Sequence, residues 1–189
     1  MNDPFYLHDI PIKHERLTSV SEALKATAAG ASELDIVLNH SLLNSQTDRP
    51  PYDEIYAELT TLRANVPPPV ILKLILETSQ LSRRNILAAC VLTKSACFDF
   101  VKTSTGFNGP GATVDDVKLM KAVVGEEMGV KASGGVRSWD DCVKMIEAGA
   151  GRIGTSSGVA IMREGELAKK GAGRLKQGGG MTEDDGSDY

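Results

Sequence analysis

Four charged residues stand where a packed strand has no use for charge. Asp35 lies in Glu33-Leu34-Asp35-Ile36-Val37, Lys73 in Ile71-Leu72-Lys73-Leu74-Ile75, Lys102 after Phe98–Val101, and Lys131 after Val130. A charge in such surroundings is costly unless it is paired or neutralised. Lys73 to Lys102 is 29 residues, and Lys102 to Lys131 is 29 again. One strand-plus-helix unit has about that length, so the three lysines fall at similar heights on neighbouring strands of one sheet. By the two-residue period, Phe98, Phe100 and Lys102 share a face, as do Lys131 and Ser133. If those faces look into one interior, three ammonium groups and one carboxylate converge.

Convergence has a chemical consequence. A desolvated lysine beside a second cation gives up its proton more readily, because both influences disfavour the charged form. The neutral amine is the nucleophile that attacks a carbonyl to form a Schiff base. Two lysines and a carboxylate suffice: one lysine bonds covalently, while the other lowers its pKa and relays protons with Asp35. The plainer alternative is that each lysine extends its ammonium to a sheet edge, or pairs with Asp35 or Glu77.

The segments after these strands add a second signal. Lys102 is followed by Thr-Ser-Thr-Gly-Phe-Asn-Gly-Pro-Gly, and Lys131 by Ala-Ser-Gly-Gly-Val-Arg. Gly134-Gly135 and Gly154-Thr155-Ser156-Ser157 read as adjacent strand-to-helix loops with exposed N–H groups near helix N-termini. Such loops cradle phosphate, particularly after the last two strands of a barrel. Alternatively, the glycines serve tight turns only.

The elements that must hold these residues alternate. Strands are predicted at 33–39, 70–77, 98–103, 129–133 and 152–155, and these strands read as apolar on both faces. Helices are predicted at 19–29, stopped by Gly30, and at 52–65, where Ile55, Leu59 and Leu62 share a face. Further helices open at Ser82, at Thr113 and at Ser138, whose hydroxyls are candidate N-caps. A last short helix ends near Met162. Apolar strands separated by helices imply a parallel sheet covered by helices. The fold class is α/β, a (β/α) TIM-type barrel with about five legible units, against the eight units and about 250 residues of a full barrel. An open doubly wound sheet is the alternative. Residues 1–163 form the expected domain. Residues 164–189, rich in glycine and charge, read as a disordered tail.

Bulk properties narrow the function classes. The chain has 189 residues, 41% of them hydrophobic and 24% charged, with a net charge of −4. No basic cluster with interleaved aromatics appears, so a nucleic-acid partner is not expected. No apolar run approaches the ~20 residues of a membrane span. Met1-Asn2-Asp3-Pro4-Phe5-Tyr6 lacks the pattern of a secretory signal. Cys90, Cys97 and Cys142 have no metal-ligand spacing and read as reduced structural residues in a cytoplasmic protein. His8, His14 and His40 read as surface residues.

The motifs Phe100-Val101-Lys102-Thr103-Ser104-Thr105-Gly106-Phe107, Val130-Lys131-Ala132-Ser133-Gly134-Gly135-Val136-Arg137 and Arg152-Ile153-Gly154-Thr155-Ser156-Ser157-Gly158-Val159 strongly resemble those of the deoxyribose-phosphate aldolases, class I aldolases with a TIM-barrel fold. Gly30–Val37 and Leu72–Thr78 match as well, and the resemblance runs in order over about residues 22–162. It implies reversible cleavage of 2-deoxy-D-ribose 5-phosphate, a small-molecule phosphosugar, to acetaldehyde and glyceraldehyde 3-phosphate. It assigns the Schiff base to Lys102, its tuning to Lys131 and proton transfer to Asp35. Gly106, Gly134, Gly135, Gly154, Ser156 and Ser157 would line the phosphate end. No metal or organic cofactor is implied, because the iminium is itself the electron sink. The three strands that precede the Asp35 strand in the family have no counterpart here. The barrel is therefore expected to be N-terminally truncated, with exposed sheet edges that invite pairing into a homo-oligomer or aggregation. A catalytically impaired fragment acting as a binding or assembly protein is the alternative.

Overall fold

The computed structural model describes residues 20–44 and 49–177, and side chains as far as Lys169. His8, His14, the loop residues 45–48 and residues 178–189 of the tail lie outside the described residues. Five parallel strands form one sheet in chain order: β1 (Glu33–Val37), β2 (Ile71–Ile75), β3 (Phe100–Lys102), β4 (Gly129–Ser133) and β5 (Arg152–Gly154). The helices are α1 (Val20–Ala28), α2 (His40–Leu43), α3 (Tyr52–Asn65), α4 (Arg83–Ser95), α5 (Val114–Val124), α6 (Trp139–Glu147) and α7 (Gly158–Gln177), with a 3-10 turn at Thr78–Gln80. The last helix runs fifteen residues past the expected end near Met162, as far as Gln177.

Three helix starts have the expected chemistry. The hydroxyls of Ser82, Thr113 and Ser138 accept from the N–H of Asn85, Asp116 and Asp141. At Ser138 the Asp141 carboxylate reaches back to the N-cap N–H and closes a full capping box. Each cap satisfies an otherwise orphaned N–H and is worth about 1 kcal/mol.

The strands differ from the expectation in one respect that matters. They are not apolar on both faces. Leu34, Ile36, Leu72, Leu74, Val101, Val130 and Ala132 are buried against the helices. The alternate positions Glu33, Asp35, Lys73, Lys102, Lys131 and Arg152 form a charged inner face, held together by ion pairs. Alternation was obscured because β2 and β3 are so short that one lysine each interrupts an apolar run.

That inner face reports the curvature of the sheet. Four interstrand steps of about 4.8 Å would separate β1 from β5 by about 19 Å in a flat sheet. Yet Arg152 Nη1 of β5 lies 2.7 Å from Glu33 Oε2 of β1, and Lys131 Nζ of β4 lies 3.0 Å from Asp35 Oδ2. The sheet curls on itself, as barrel walls do, and its concave side encloses the charges. An open doubly wound sheet would hold these groups apart. Arg152 also sits over the Phe100 ring, 4.5 Å from its centroid, which fills the same interior.

Candidate active site

Asp35 is the hub. Its Oδ2 accepts from Lys102 Nζ at 2.7 Å and from Lys131 Nζ at 3.0 Å, while its Oδ1 accepts from Lys73 Nζ at 3.0 Å. Strand pairing explains the meeting. Asp35 is opposite Lys73 in the β1–β2 register, and Lys102 is opposite Lys131 in the β3–β4 register. Curvature then brings the two pairs together. Lys73 also reaches Glu33 Oε2 at 2.6 Å, and Arg152 binds the same oxygen. Lys73, with its side chain 1% exposed, is thus fully ion-paired inside the sheet. Of the alternatives for this lysine, pairing with Asp35 holds; Glu77 is not its partner, and Glu33 is an additional one. Glu33 stands two residues before Asp35, on the same face of β1 by the strand period, which is the signal that could have found it.

The electrostatics follow from this geometry. Burial is the largest single influence on Asp35 and raises its pKa. The charges of Lys102, Lys131 and Lys73, with the hydrogen bond from Lys102, together outweigh it and hold the carboxyl well below the usual range. Lys131 is pushed down, first by burial and then by the Lys102 ammonium, against the opposing pull of Asp35. A lysine shifted this way is a better proton acceptor near neutrality. Four cations and two carboxylates share the interior, an excess of positive charge suited to an anionic ligand.

Beyond the lysines, the loops at the C-terminal ends of the strands are tied to one another. The Glu77 carboxylate accepts from Thr105 N–H, and the Ser79 hydroxyl donates to Asn108 O. Ala112 N–H donates to Gly134 O, and the Thr155 hydroxyl donates to Val136 O. Gly106, Gly134 and Gly135 all have left-handed φ, at 89°, 82° and 77°. A Cβ on Gly134 would lie 2.9 Å from Gly111 Cα and 3.4 Å from Gly106 Cα, so only a bare backbone allows these two loops to touch. The N–H groups of Gly106, Gly134 and Gly135 have no hydrogen-bond partner among the described residues. Ser156 is exposed and Ser157 half-buried, its N–H donating to Thr155 Oγ1. No hydrogen bond joins Ser156 or Ser157 to the Gly106 or Gly134 loops. Gly154 lies lower, beside Lys131: the position its Cβ would occupy is 2.2 Å from Ser133 Oγ and 3.2 Å from Lys131 Cε.

Two further hydroxyls, one of them on the Lys131 face of β4, have no role assigned from the sequence. Ser104 and Ser133 stand two residues after Lys102 and Lys131. Both are buried, and their Oγ atoms have no partner among the described residues. His40, expected at the surface, is half-buried at the start of α2, and its Nδ1 is enclosed without a partner among the described residues. All three cysteines are free; Cys90 and Cys142 are buried and Cys97 is exposed. Among the described residues no group of three or more His, Cys, Asp or Glu is placed to hold a metal ion, and no helix is long and apolar enough to cross a membrane.

Residues 6–164 match the family described as DeoC/LacD family aldolase. A deoxyribose-phosphate aldolase of Caldanaerobacter subterraneus is 51% identical over 149 residues, covering 78% of this chain and 63% of the relative. One from Coccidioides immitis is 48% identical over 154 residues, covering 80% of this chain and 56% of the relative. Among solved structures, a deoxyribose phosphate aldolase from Aeropyrum pernix, described as having a unique tetrameric structure, superposes with a TM-score of 0.68 at 32% identity, over 78% of this chain and 60% of that one. The chain thus spans about 60% of the length of the relatives it matches.

Proposed function

Because the chain belongs to the DeoC/LacD family of aldolases, with the parallel sheet and flanking helices of a TIM-type barrel, we propose that it is a class I aldolase that cleaves 2-deoxy-D-ribose 5-phosphate reversibly to acetaldehyde and D-glyceraldehyde 3-phosphate. The observation that carries the reading is the sharing of one Asp35 oxygen by Lys102 and Lys131.

Lys102 attacks the aldehyde carbon of the open-chain sugar through its neutral amine. The carbinolamine loses water and becomes an iminium. Removal of the proton from the C3 hydroxyl lets the C2–C3 bond break. Its electron pair moves into the iminium, glyceraldehyde 3-phosphate leaves, and an enamine remains on Lys102. Protonation at the enamine carbon and addition of water release acetaldehyde and restore the amine. Lys131 and Asp35 are the groups within hydrogen-bond reach of Lys102 through the shared oxygen, and they carry the protons in these steps. The iminium stores the electrons, so the steps call for neither a metal nor an organic cofactor.

The phosphate is assigned to Gly106, Gly134, Gly135, Gly154, Ser156 and Ser157. Support comes from the touching Gly106 and Gly134 loops with their unpartnered N–H groups, and from the excess positive charge below them. Assembly as a homo-oligomer is supported by the tetrameric description of the Aeropyrum pernix relative, and a cytoplasmic location by the three free cysteines.

The test is reductive trapping. Acetaldehyde and borohydride should add a single ethyl group, mapped to Lys102 by peptide mass spectrometry. Folded protein that gains no adduct, or gains it on another lysine, rules the assignment out.

A further inference from the structure

Glu77 belongs to none of the chemistry above, yet it is among the most enclosed residues in the chain, at 1% exposure. It follows β2 in a left-handed conformation, φ 57°, which a residue with a Cβ rarely adopts. No ion pair reaches it among the described residues, and an unpaired buried carboxylate is costly. Its two oxygens accept from one donor, the backbone N–H of Thr105, at 3.3 and 3.2 Å.

Thr105 opens the loop after β3. Its own hydroxyl oxygen accepts from the N–H of Phe107 at 3.2 Å. Of three consecutive amides, Glu77 takes the first and Thr105 the third. The middle one, on Gly106, has no partner among the described residues. Open space surrounds the position a Cβ would occupy on Gly106, and Gly106 itself touches the Gly134 loop, where the N–H groups of Gly134 and Gly135 likewise have no partner among the described residues. The Ser79 hydroxyl, two residues beyond Glu77, braces the far side of the same loop at Asn108 O, 3.0 Å away.

We propose that Glu77 is the positioning residue of an anion-binding nest: by holding Thr105 N–H from behind, it fixes Gly106 N–H beside the amides of Gly134 and Gly135 as donors to a phosphate monoester. The carboxylate faces the back of the loop, where it consumes an amide rather than meeting the anion. The phosphate-bearing substrate comes from the aldolase reading, on which this inference rests; the binding of phosphate itself can be measured apart from turnover.

The experiment uses the full chain and Glu77→Gln, which keeps the shape but replaces one acceptor with a donor. Inorganic phosphate is titrated calorimetrically, and kcat/KM is compared for deoxyribose 5-phosphate and deoxyribose. The Gln oxygen can still accept from Thr105 N–H, but without the carboxylate's charge, and the weaker positioning bond should lower phosphate affinity about three- to tenfold. The preference for the phosphorylated sugar should fall by a similar factor, mainly through KM, with acetaldehyde trapping at Lys102 unchanged. Equal phosphate affinity in the two proteins, or an equal loss on both sugars, overturns the proposal, as does a wild-type chain that binds no phosphate. Phosphate binding without any acetaldehyde adduct would instead count against the Schiff-base reading and leave Glu77 to be judged by the titration. If Glu77→Gln does not fold, Glu77→Asp, which withdraws the carboxylate by one methylene, takes its place with the same expected losses.

Discussion

Lys102 and Lys131 donate to the same oxygen of Asp35, at 2.7 and 3.0 Å, from adjacent residues of neighbouring strands. Each lysine therefore senses the protonation of the other across a single atom. This makes their roles separable by substitution. Lys102→Ala should abolish the acetaldehyde–borohydride adduct. Lys131→Met should still form it, but slow sugar cleavage by about 10²- to 10⁴-fold, the usual worth of a positioned acid–base group. An adduct that survives in Lys102→Ala would place the nucleophile elsewhere.

The depressed pKa of Lys131 sets a pH dependence. Between its folded value and the ordinary lysine value of 10.5, the unfolded chain binds more protons at this site, so stability rises with pH in that window. Activity should rise with pH through the same lowered value as the neutral amine forms. Lys131→Arg, permanently charged, should lose that limb of the profile while keeping a folded melt. A rate profile with the same limb in wild type and Lys131→Arg would assign it to another group.

Asp35 has the opposite linkage. Its folded pKa lies below the unfolded value of 3.8, so its stabilisation is fully present above that value. It is lost as pH falls through the folded one. Asp35→Asn leaves three buried ammonium groups without their shared partner and should cost about 3–5 kcal/mol at neutral pH. Thermal melts from pH 7 downwards should show the gap between the two proteins closing only well below pH 3.8. A gap that closes above that value would mean that the carboxylate is not held by the lysines.

Gly154→Ala probes the wall behind Lys131. A methyl group there meets Ser133 Oγ at 2.2 Å and Lys131 Cε at 3.2 Å, so the hydroxyl and the lysine stem must both move. A misplaced catalytic group about 1 Å from its position can cost about 10²-fold, whereas overpacking at one site costs about 1–3 kcal/mol. Turnover should therefore fall more than the melting temperature suggests, and a variant with wild-type kcat would show that Lys131 tolerates the shift.

The cysteines should differ in reactivity. Burial pushes the Cys90 thiol up to about 12 and also raises that of Cys142, whereas Cys97 is exposed. Since the thiolate is the reactive form, iodoacetamide at pH 8 should label Cys97 in the native protein and the other two only after unfolding. Mass spectrometry of the labelled peptides reads this directly; native labelling of Cys90 would contradict its place on the buried face of α4.

Much of the fold was legible along the chain. The 29-residue spacing of Lys73, Lys102 and Lys131 marked successive strand units, and Ser82, Thr113 and Ser138 marked where helices begin, because an N-cap is a local hydrogen bond between near neighbours in sequence. Helix ends were less legible. Helix α7 continues to Gln177 through a glycine-rich segment, and within it Gly165 lets the Trp139 ring sit against the helix, a contact 26 residues away that composition cannot show.

The sequence by itself determined which residues could do the chemistry, their order on the strands, and which of them share a face, because strand period and capping are short-range properties of the backbone. Only the tertiary structure decided that Lys73 is held by Glu33 and Asp35, that Arg152 reaches Glu33 from the far end of the sheet, and that Glu77 grips the loop after Lys102. Those contacts join residues from 28 to 119 positions apart. They exist because a curled sheet shortens distances that a flat one would leave open, and curvature is a property of all five strands together.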